Sequence, residues 1–334
     1  MGDILILSIE SSCDETAAAV TLNGRQVLSS VISSQADIHK KFGGVVPEVA
    51  SRNHTLSINA AAERALEEAG KSFKELDAVA TTYGAGLAGA LPVGVSYAKA
   101  AAYALGIPLI AVNHIKGHIA ANYIAHGELE PPFICLVASG GHTAILEVIS
   151  YTEHRLLGQT VDDAAGEAFD KVARVLGLGY PGGPLIDKAA REGRASINFP
   201  PPLAGGYNFS YSGLKTAVIN YVHGLEQKGK KADIPDVCAS FQKAAIDALV
   251  EKAIEACGKL GYEKLCLAGG VAANSYLRET ASTRCKKEGI KLYFPPLWLC
   301  TDNAAMIGAE GYYNFISGKN IADFSLNAVP HLKL

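Results

Sequence analysis

Residues 4–16 read Ile-Leu-Ile-Leu-Ser-Ile-Glu-Ser-Ser-Cys-Asp-Glu-Thr, an apolar stretch that ends in a polar one. A run that is apolar at nearly every position predicts a strand buried on both faces of a sheet. Residues 17–22 are again apolar, Asn23-Gly24 is a strong signal for a two-residue hairpin, and residues 26–32 form a third strand-like run. The sequence therefore begins with three successive strands, joined first by a polar turn and then by a tight hairpin.

The same order of strands and turns returns in the middle of the chain. Residues 133–138 are apolar, residues 139–143 read Ser-Gly-Gly-His-Thr, and two further strand-like runs cover residues 144–149 and 154–158. Between the copies the sequence is helical and α/β in pattern, with a helix predicted at residues 51–69 that ends at a glycine. The repeat indicates an internal duplication, so we expect an α/β protein with two duplicated lobes around a central cleft.

Length and composition agree with two lobes. The 334 residues exceed the length of an average domain, roughly 150 residues. A hydrophobic content of 49% is ample for buried cores and excludes a disordered chain. We predict an N-terminal lobe at residues 1–130, a C-terminal nucleotide-binding lobe at 131–300, and a C-terminal helix at 301–334 that returns to the N-terminal lobe.

The charge balance excludes a general attraction to polyanions. The net charge is −3, so an RNA substrate would have to be held by local basic clusters or by a partner. The candidate clusters are Lys40-Lys41 with Arg52, Lys228 with Lys230-Lys231, and Lys286-Lys287. Each of these clusters can equally be a solvated surface loop.

Cysteine usage and hydropathy indicate the compartment. The seven cysteines include no Cys-x-x-Cys pair, which argues against a disulfide framework or a zinc knuckle and favours a reducing cytosol. The apolar run at residues 4–9 is too short for a signal peptide or a membrane span. We therefore expect a cytoplasmic protein with no membrane partner.

His114 and His118 are spaced four residues apart, at the start of a helical pattern that follows a strand-like run at residues 108–112. Side chains at this spacing lie on one face of a helix, so both imidazoles can reach a single cation. Asp302 is the candidate third ligand, which would complete an open two-histidine, one-carboxylate set of the catalytic type. Two alternatives stay open. The histidines can be ordinary polar residues at a helix start, and Asp302 can be the N-cap of the apolar helix that follows it.

Three glycine-rich turns suggest a nucleotide site, because glycine lets backbone N–H groups close on a phosphate. These turns are Ser139-Gly140-Gly141, Gly182-Gly183 and Gly269-Gly270. The nearby carboxylates of Asp170 and Asp187 are suited to ribose hydroxyls. Each turn alone can be purely structural, and both aspartates can be exposed helix residues.

Eight motifs occur in order along nearly the whole chain. They are residues 8–16 (SIESSCDET), His114-x-x-x-His118, residues 139–143 (SGGHT), residues 162–171 (DDAAGEAFDK), residues 180–184 (YPGGP), residues 209–215 (FSYSGLK), residues 268–274 (AGGVAAN) and residues 299–305 (LCTDNAA). Together they resemble the tRNA threonylcarbamoyladenosine transferase (TsaD) family, within the actin-like ATPase and sugar kinase (ASKHA) superfamily. Val137 stands where archaeal relatives carry a metal-coordinating tyrosine, so the chain resembles the bacterial branch.

The resemblance implies an ASKHA fold and a tRNA N6-adenosine threonylcarbamoyltransferase, an acyltransferase. In the implied reaction, the threonylcarbamoyl group passes from L-threonylcarbamoyl-AMP to the exocyclic amine of the adenosine 3′ of the tRNA anticodon, with metal assistance and release of AMP. His114, His118 and Asp302 are implied to bind one Fe²⁺ or Zn²⁺ ion per subunit. The residues implied to hold the adenylate, in a cleft that ATP or ADP can also occupy, are Val137, Ala138, Ser139, Gly140, Gly141, Asp170, Gly183, Asp187 and Asn274. The expected catalytic residues near the metal are Glu10, Ser12 and Lys116.

The implied partners are tRNAs that read codons starting with A, the paralogous subunit TsaB and the ATPase TsaE. An ATP-dependent phosphotransferase or ATPase of the same superfamily and a non-enzymatic scaffold subunit stay as alternatives. A metalloprotease is a third alternative. Zincins carry a glutamate directly after the first histidine as their general base, and here that position is Ile115.

Overall fold

The computed structural model describes residues 2–333, and the chain divides into two compact units. Unit 1 contains the chain up to Pro131, residues 149–154 and the chain from Pro295 onward. Unit 2 contains residues 132–148 and 155–294. The C-terminal part of the chain therefore belongs to the same unit as the N-terminal part.

Eleven strands and eleven α-helices lie within residues 2–333. The strands are β1 (Leu5–Glu10), β2 (Glu15–Leu22), β3 (Gln26–Ser34), β4 (Ala78–Gly84), β5 (Leu109–Asn113), β6 (Phe133–Ala138), β7 (Thr143–Val148), β8 (His154–Gln159), β9 (Lys264–Ala268), β10 (Lys291–Tyr293) and β11 (Ile321–Ala322). The helices are α1 (Ala36–Lys40), α2 (Pro47–Ala69), α3 (Leu91–Leu105), α4 (His114–Ala125), α5 (Ala165–Val175), α6 (Gly182–Ala190), α7 (Ser212–Glu226), α8 (Ile234–Leu260), α9 (Ser275–Lys287), α10 (Leu297–Cys300) and α11 (Ala304–Ile316). Within the described range, no helix combines the length and the apolar character needed to cross a membrane.

The two units contain sheets of the same strand order. In unit 1 the order is β11-β5-β4-β1-β2-β3, and in unit 2 it is β10-β9-β6-β7-β8. The first strand of each unit, β1 or β6, pairs antiparallel with the strand that follows it and parallel with β4 or β9. Apart from the short edge strand β11, the sheets correspond strand for strand. This correspondence confirms the predicted α/β class and the predicted duplication.

Local signals account for several element boundaries. Asn23 and Gly24 have φ angles of 53° and 68°, the left-handed pair of a type I′ turn, and Arg25 adds a third residue to the loop because Leu22 pairs with Gln26. Helix α2 ends as predicted at Gly70, which adopts φ 63°. It begins at Pro47 rather than at residue 51, because proline at the first helical position has the φ of a helix and needs no hydrogen-bond partner for its nitrogen.

Helix α11 packs against β1, β2 and α4 in the core of unit 1. Ser8 Oγ donates a hydrogen bond to Ala304 O at 2.7 Å, which ties β1 to the first turn of α11. The approach to α4 depends on a glycine, since a Cβ on Gly117 would lie 2.7 Å from Ile307 Cδ1. This packing places the start of α11, and with it Asp302, beside the first turns of α4.

Candidate metal centre

His114 and His118 lie on the first two turns of α4, directly after β5. Asn113 ends β5 and caps the helix, because its Oδ1 accepts a hydrogen bond from Ile115 N at 2.9 Å. With the helix starting at His114, the four-residue spacing puts both imidazoles on one face, and their ring centroids are 4.7 Å apart. Both side chains are buried.

Asp302 approaches the two histidines from the segment between α10 and α11. Its Oδ1 lies 3.5 Å from His114 Nε2 and 3.2 Å from His118 Nε2. One possible ligand atom from each of the three residues lies within 4.8 Å of the others. The cap of α11 is Asn303, whose Oδ1 accepts a hydrogen bond from Met306 N at 2.9 Å. The alternative that Asp302 is the helix cap is therefore wrong.

Glu10, a fully buried carboxylate at the end of β1, orients His114. Glu10 Oε2 lies 3.0 Å from His114 Nδ1, and because an ionised carboxylate only accepts hydrogen bonds, we assign the Nδ1–H tautomer. Thr82 donates to the same oxygen at 2.7 Å, and Ser12 N donates to Oε1 at 2.5 Å. Nε2 of His114 then faces Asp302 and is the nitrogen available to a metal ion once its own proton is displaced, as in metal sites where an outer carboxylate orients a histidine ligand. Sequence analysis misses Thr82, whose contact with Glu10 depends on the pairing of β4 with β1 in the sheet.

The two histidines differ in their electrostatics. Burial disfavours a charge on His114, but the carboxylates of Asp302 and Glu10 outweigh burial and raise the pKa of His114 to about 9. At His118 burial dominates and lowers the pKa. Burial opposes charge on Glu10 as well, yet its attraction to His114 lowers the pKa of Glu10. The carboxylates of Glu10 and Asp302 around the imidazolium of His114 give this buried site a net negative charge. A divalent cation that replaced the Nε2 proton of His114 would neutralise it.

The donor atoms fit a first-row divalent cation. Nδ1 of His118 is buried without a hydrogen bond among the described residues, and Nε2 faces only Asp302 Oδ1, at 3.2 Å. Buried polar atoms of this kind are costly unless a ligand satisfies them. Two imidazole nitrogens and one carboxylate oxygen suit Fe²⁺ or Zn²⁺ and leave further coordination positions for a substrate or water.

The three expected catalytic residues occupy different places. Glu10 and Ser12 both adjoin His114, since Ser12 Oγ lies 3.1 Å from His114 Nδ1. Lys116 lies two residues from each histidine on α4, a spacing at which side chains do not face each other. Its positive charge acts instead on the buried carboxyl of Glu310 on α11. The catalytic roles of all three residues stay predictions.

In unit 2, two of the three predicted glycine-rich turns, residues 139–141 and 269–270, lie at one edge of the sheet, where the parallel neighbours β6 and β9 both end. The third prediction is wrong as a turn, because Gly182 and Gly183 are the first residues of helix α6. The turn after β6 is closed by a hydrogen bond from Ser139 N to His142 O at 2.7 Å. Gly269, directly after β9, has φ 86°, and a Cβ at this position would lie 2.4 Å from Ala138 O. The side chains of Val137 and Ala138 are buried, so only their backbone can face a ligand.

The polar residues predicted to bind the nucleotide form hydrogen bonds to the first residues of the neighbouring helices. Asp170 Oδ1 accepts a hydrogen bond from Gly182 N at 2.7 Å, and burial raises the pKa of Asp170. Asp187 Oδ1 accepts a hydrogen bond from Ser275 Oγ at 2.8 Å. The Oδ1 of Asn274 caps α9. These bonds join α5, α6 and α9 around the two turns.

Three of the predicted glycines border open space. A Cβ added to Gly140, Gly141 or Gly183 would meet no atom within 4 Å. Backbone at such positions can approach a ligand closely. The nucleotide-binding role of this edge of unit 2 stays a prediction.

Comparison with known proteins identifies the family. The family model described as tRNA N6-adenosine threonylcarbamoyltransferase (TsaD) matches residues 26–309. A protein of that name from Clostridium perfringens (strain SM101 / Type A) is 57% identical over 337 residues, which cover 100% of this chain and 99% of the relative. Another protein of that name, from Clostridioides difficile (strain 630), is 55% identical with the same coverage.

A solved structure of full-length HypF, in its phosphate- and nucleotide-bound form, resembles the chain with a TM-score of 0.63 at 15% identity. The match covers 96% of this chain and 47% of HypF, so the chain spans about half the length of that protein. At this identity the likeness concerns the fold alone, which is the expected ASKHA fold. The matched family and the full-length relatives show that the chain belongs to the tRNA N6-adenosine threonylcarbamoyltransferase (TsaD) family and is a transferase that forms threonylcarbamoyladenosine in tRNA.

Proposed function

We propose that the chain transfers the threonylcarbamoyl group of L-threonylcarbamoyl-AMP to the exocyclic amine of the adenosine 3′ of the anticodon, in tRNAs that read codons starting with A. The carrying observation is the buried set of His114, His118 and Asp302, whose possible ligand atoms lie within 4.8 Å of one another. These buried side chains carry a net negative charge and include a ring nitrogen without a hydrogen bond. A purely structural role would require neither property in the core of unit 1.

His114 and His118 would hold the metal ion through Nε2, and Asp302 through a carboxylate oxygen. When bound, Fe²⁺ or Zn²⁺ would supply Lewis-acid polarisation and an anchor for an oxygen of the substrate. Glu10 keeps Nε2 of His114 available, because it holds the proton of the imidazole on Nδ1. We therefore assign Glu10 a positioning role within the predicted catalytic set.

The edge of unit 2 that carries Ser139, Gly140 and Gly183 would bind the adenylate. Backbone N–H groups at glycines can close on the phosphate, and the carboxylates of Asp170 and Asp187 would accept hydrogen bonds from ribose hydroxyls. In the reaction, the amine nitrogen forms a bond to the carbamoyl carbon, the bond from that carbon to the phosphate oxygen breaks, and the amine loses a proton. AMP leaves with the bonding electron pair on its phosphate oxygen.

The net charge of −3 supports a requirement for partners, since the chain has no general attraction to tRNA. We propose that the paralogous subunit TsaB and the ATPase TsaE supply this help.

The test is mass spectrometry of tRNA nucleosides after incubation of the chain and its partner proteins with L-threonylcarbamoyl-AMP and tRNA. His118→Ala is expected to remove both the bound metal and the modified adenosine. His223→Ala, which changes an exposed histidine in unit 2, is expected to change neither. Equal modification by His118→Ala and the unchanged chain would overturn the metal-assisted mechanism, and rapid ATP hydrolysis without tRNA would favour a phosphotransferase.

A further inference from the structure

A set of exposed basic and aromatic residues lies on unit 1 between the end of α1 and the second turn of α2, outside the metal centre. It consists of Lys40, Lys41, Phe42 and Arg52, and we refer to it as the 40–52 patch. Phe42 is 59% exposed, although it is a large apolar side chain. Lys41 and Arg52 are exposed, and neither forms an ion pair with a carboxylate of the described residues.

The backbone holds Phe42 in this exposed place. His39, in α1, is fully buried below the turn, and its carbonyl oxygen accepts a hydrogen bond from Phe42 N at 3.0 Å. Its Nδ1 accepts a second hydrogen bond, from Val46 N at 3.3 Å. Gly43 adopts φ 69°, so the chain reverses directly after the phenylalanine. The exposed ring is therefore carried by an anchored turn rather than by a loose segment.

Hydrogen bonds join helix α2, which carries Arg52, to the segment next to the metal centre. His54, half a turn from Arg52 on α2, lies with Nε2 at 3.0 Å from Cys13 O. Ser51 Oγ donates to Gly89 O at 2.8 Å. Cys13 follows Ser12, whose Oγ contacts His114. Helix α2 is thus bonded to Cys13, the residue that follows Ser12 on the segment in contact with His114.

Acidic neighbours leave most of the positive charge available. Asp37 pairs with Lys40 at 2.8 Å and neutralises that lysine. Glu48 lies one helical turn before Arg52 on α2 but is not ion-paired with it. Lys41, adjacent to Phe42 in the chain, and Arg52, on the second turn of α2, then remain as two exposed cations.

We propose that the 40–52 patch binds the single-stranded loop of the tRNA that carries the target adenosine. Phe42 would stack on one loop base, and Lys41 and Arg52 would contact neighbouring phosphates. Stacking on aromatic rings combined with phosphate contacts is the usual way proteins hold unpaired RNA. A chain with a net charge of −3 needs such a local site. This inference rests on the proposed function, since it places the acceptor loop near the metal centre.

The test is fluorescence anisotropy of the full chain with a labelled RNA hairpin that carries the target adenosine in its loop, measured over a series of salt concentrations. Phe42→Ala is expected to weaken binding about tenfold or more, and Phe42→Trp to retain it, because only the second keeps a stacking surface. Lys41→Gln and Arg52→Gln are each expected to lower the slope of log affinity against log salt by about 1.

Two matched controls lie on the same unit. Tyr103→Ala removes an aromatic side chain that is 75% exposed on α3, and Arg64→Gln removes an exposed cation from α2. Both are expected to bind the hairpin as the unchanged chain does.

The outcome separates this inference from the proposed function. If Phe42→Ala binds the hairpin as tightly as the unchanged chain, the inference is wrong even where tRNA is modified normally. It is equally wrong if the variants weaken only the association with a protein subunit. Failure of the unchanged chain to modify tRNA would overturn the proposed function, and the binding series would still decide whether the patch holds RNA.

Discussion

The first three strands of each unit form the same meander, yet the first turn of that meander is built differently in the two units. In unit 1 the turn between β1 and β2 starts with Glu10 and Ser12, whose side chains are buried and contact His114. In unit 2 the turn between β6 and β7 contains Gly140 and Gly141, which border open space. One turn uses side chains to hold another residue of the protein, and the other leaves backbone accessible to a ligand.

The difference shows how a duplicated fold acquires two kinds of site. Strand order and register place both turns at corresponding edges of their sheets. What each turn can do depends on whether its residues carry polar side chains or none. The four predictions below test this contrast, starting with the largest expected effect.

Asp302→Asn should remove the function of the unit 1 site. An amide is a weaker ligand than a carboxylate, and it removes one negative charge from the buried set. Changes to the residues that orient metal ligands lower metal affinity or activity about 10–100-fold. Loss of a ligand itself should therefore reduce tRNA modification by more than about 100-fold. Metal content and nucleoside mass spectrometry would show this. Asp323→Asn, at a fully exposed carboxylate of unit 1, is the control, and normal metal content in Asp302→Asn would contradict the assignment.

Gly269→Ala should damage the edge of unit 2 without touching unit 1. The backbone there has φ 86° and ψ 170°, a region open almost only to glycine, and the added Cβ would lie 2.4 Å from Ala138 O. We expect a loss of about 2 kcal/mol or more, seen as a lower urea midpoint, together with weaker adenine nucleotide binding.

The control is the neighbouring Gly270→Ala, where φ is not positive and no atom lies within 4 Å of the new Cβ. If both variants unfold at the same urea concentration, the turn does not depend on the close approach at Gly269.

Glu10→Gln should weaken the metal site while leaving all three ligands in place. The amide keeps the size of the side chain but removes the charge that orients His114 through Nδ1. We expect metal affinity to fall about 10–100-fold, measured by competition with a chelator. Glu63→Gln, on the exposed face of α2, should bind metal normally. An unchanged affinity in Glu10→Gln would show that Glu10 does not position the ligand.

Glu15→Gln should alter pH dependence, because Glu15 opens β2 where the uncharged Thr143 opens β7. Burial and the charge of Asp14 raise the pKa of Glu15 from 4.5 to about 7. The folded chain then retains a proton that the unfolded chain has lost, so this contribution to stability is fully present below about pH 4.5 and is lost as the pH rises through about 7.

Over that interval we expect the metal-free chain to lose about 1 kcal/mol more stability than Glu15→Gln, after allowance for partial solvent exposure. Urea unfolding at a series of pH values measures the difference. Parallel stability curves for the two proteins would contradict the raised pKa.

Local features of the site were predictable from sequence. The spacing of His114 and His118 implies a shared helix face whatever the rest of the chain does, and Asn23-Gly24 specifies its hairpin through backbone conformation alone. The proximity of Asp302 to His114 and His118 could not be predicted from a local pattern. Its place before an apolar helix made Asp302 a candidate ligand, but its approach to the histidines depends on the packing of α11 against Gly117, a contact between distant segments that no local pattern encodes.

The role of Glu10 shows the same limit. The family resemblance places Glu10 among the expected catalytic residues near the metal. Its bonds to His114 and Thr82 arise because β4 lies between β1 and β5 in the sheet, which brings three strand ends together. Strand order is a property of the whole sheet, so a single strand and its turn could not reveal it.

Unit 1 is built from segments that lie far apart in the chain, and this has a consequence for biosynthesis. Both histidines leave the ribosome early, whereas Asp302 follows only after all of unit 2 has been made. A nascent or prematurely terminated chain therefore carries two imidazoles without their carboxylate and lacks the helix that packs against them. In the proposed site, the three metal ligands can meet only after the segment that carries Asp302 has been synthesised.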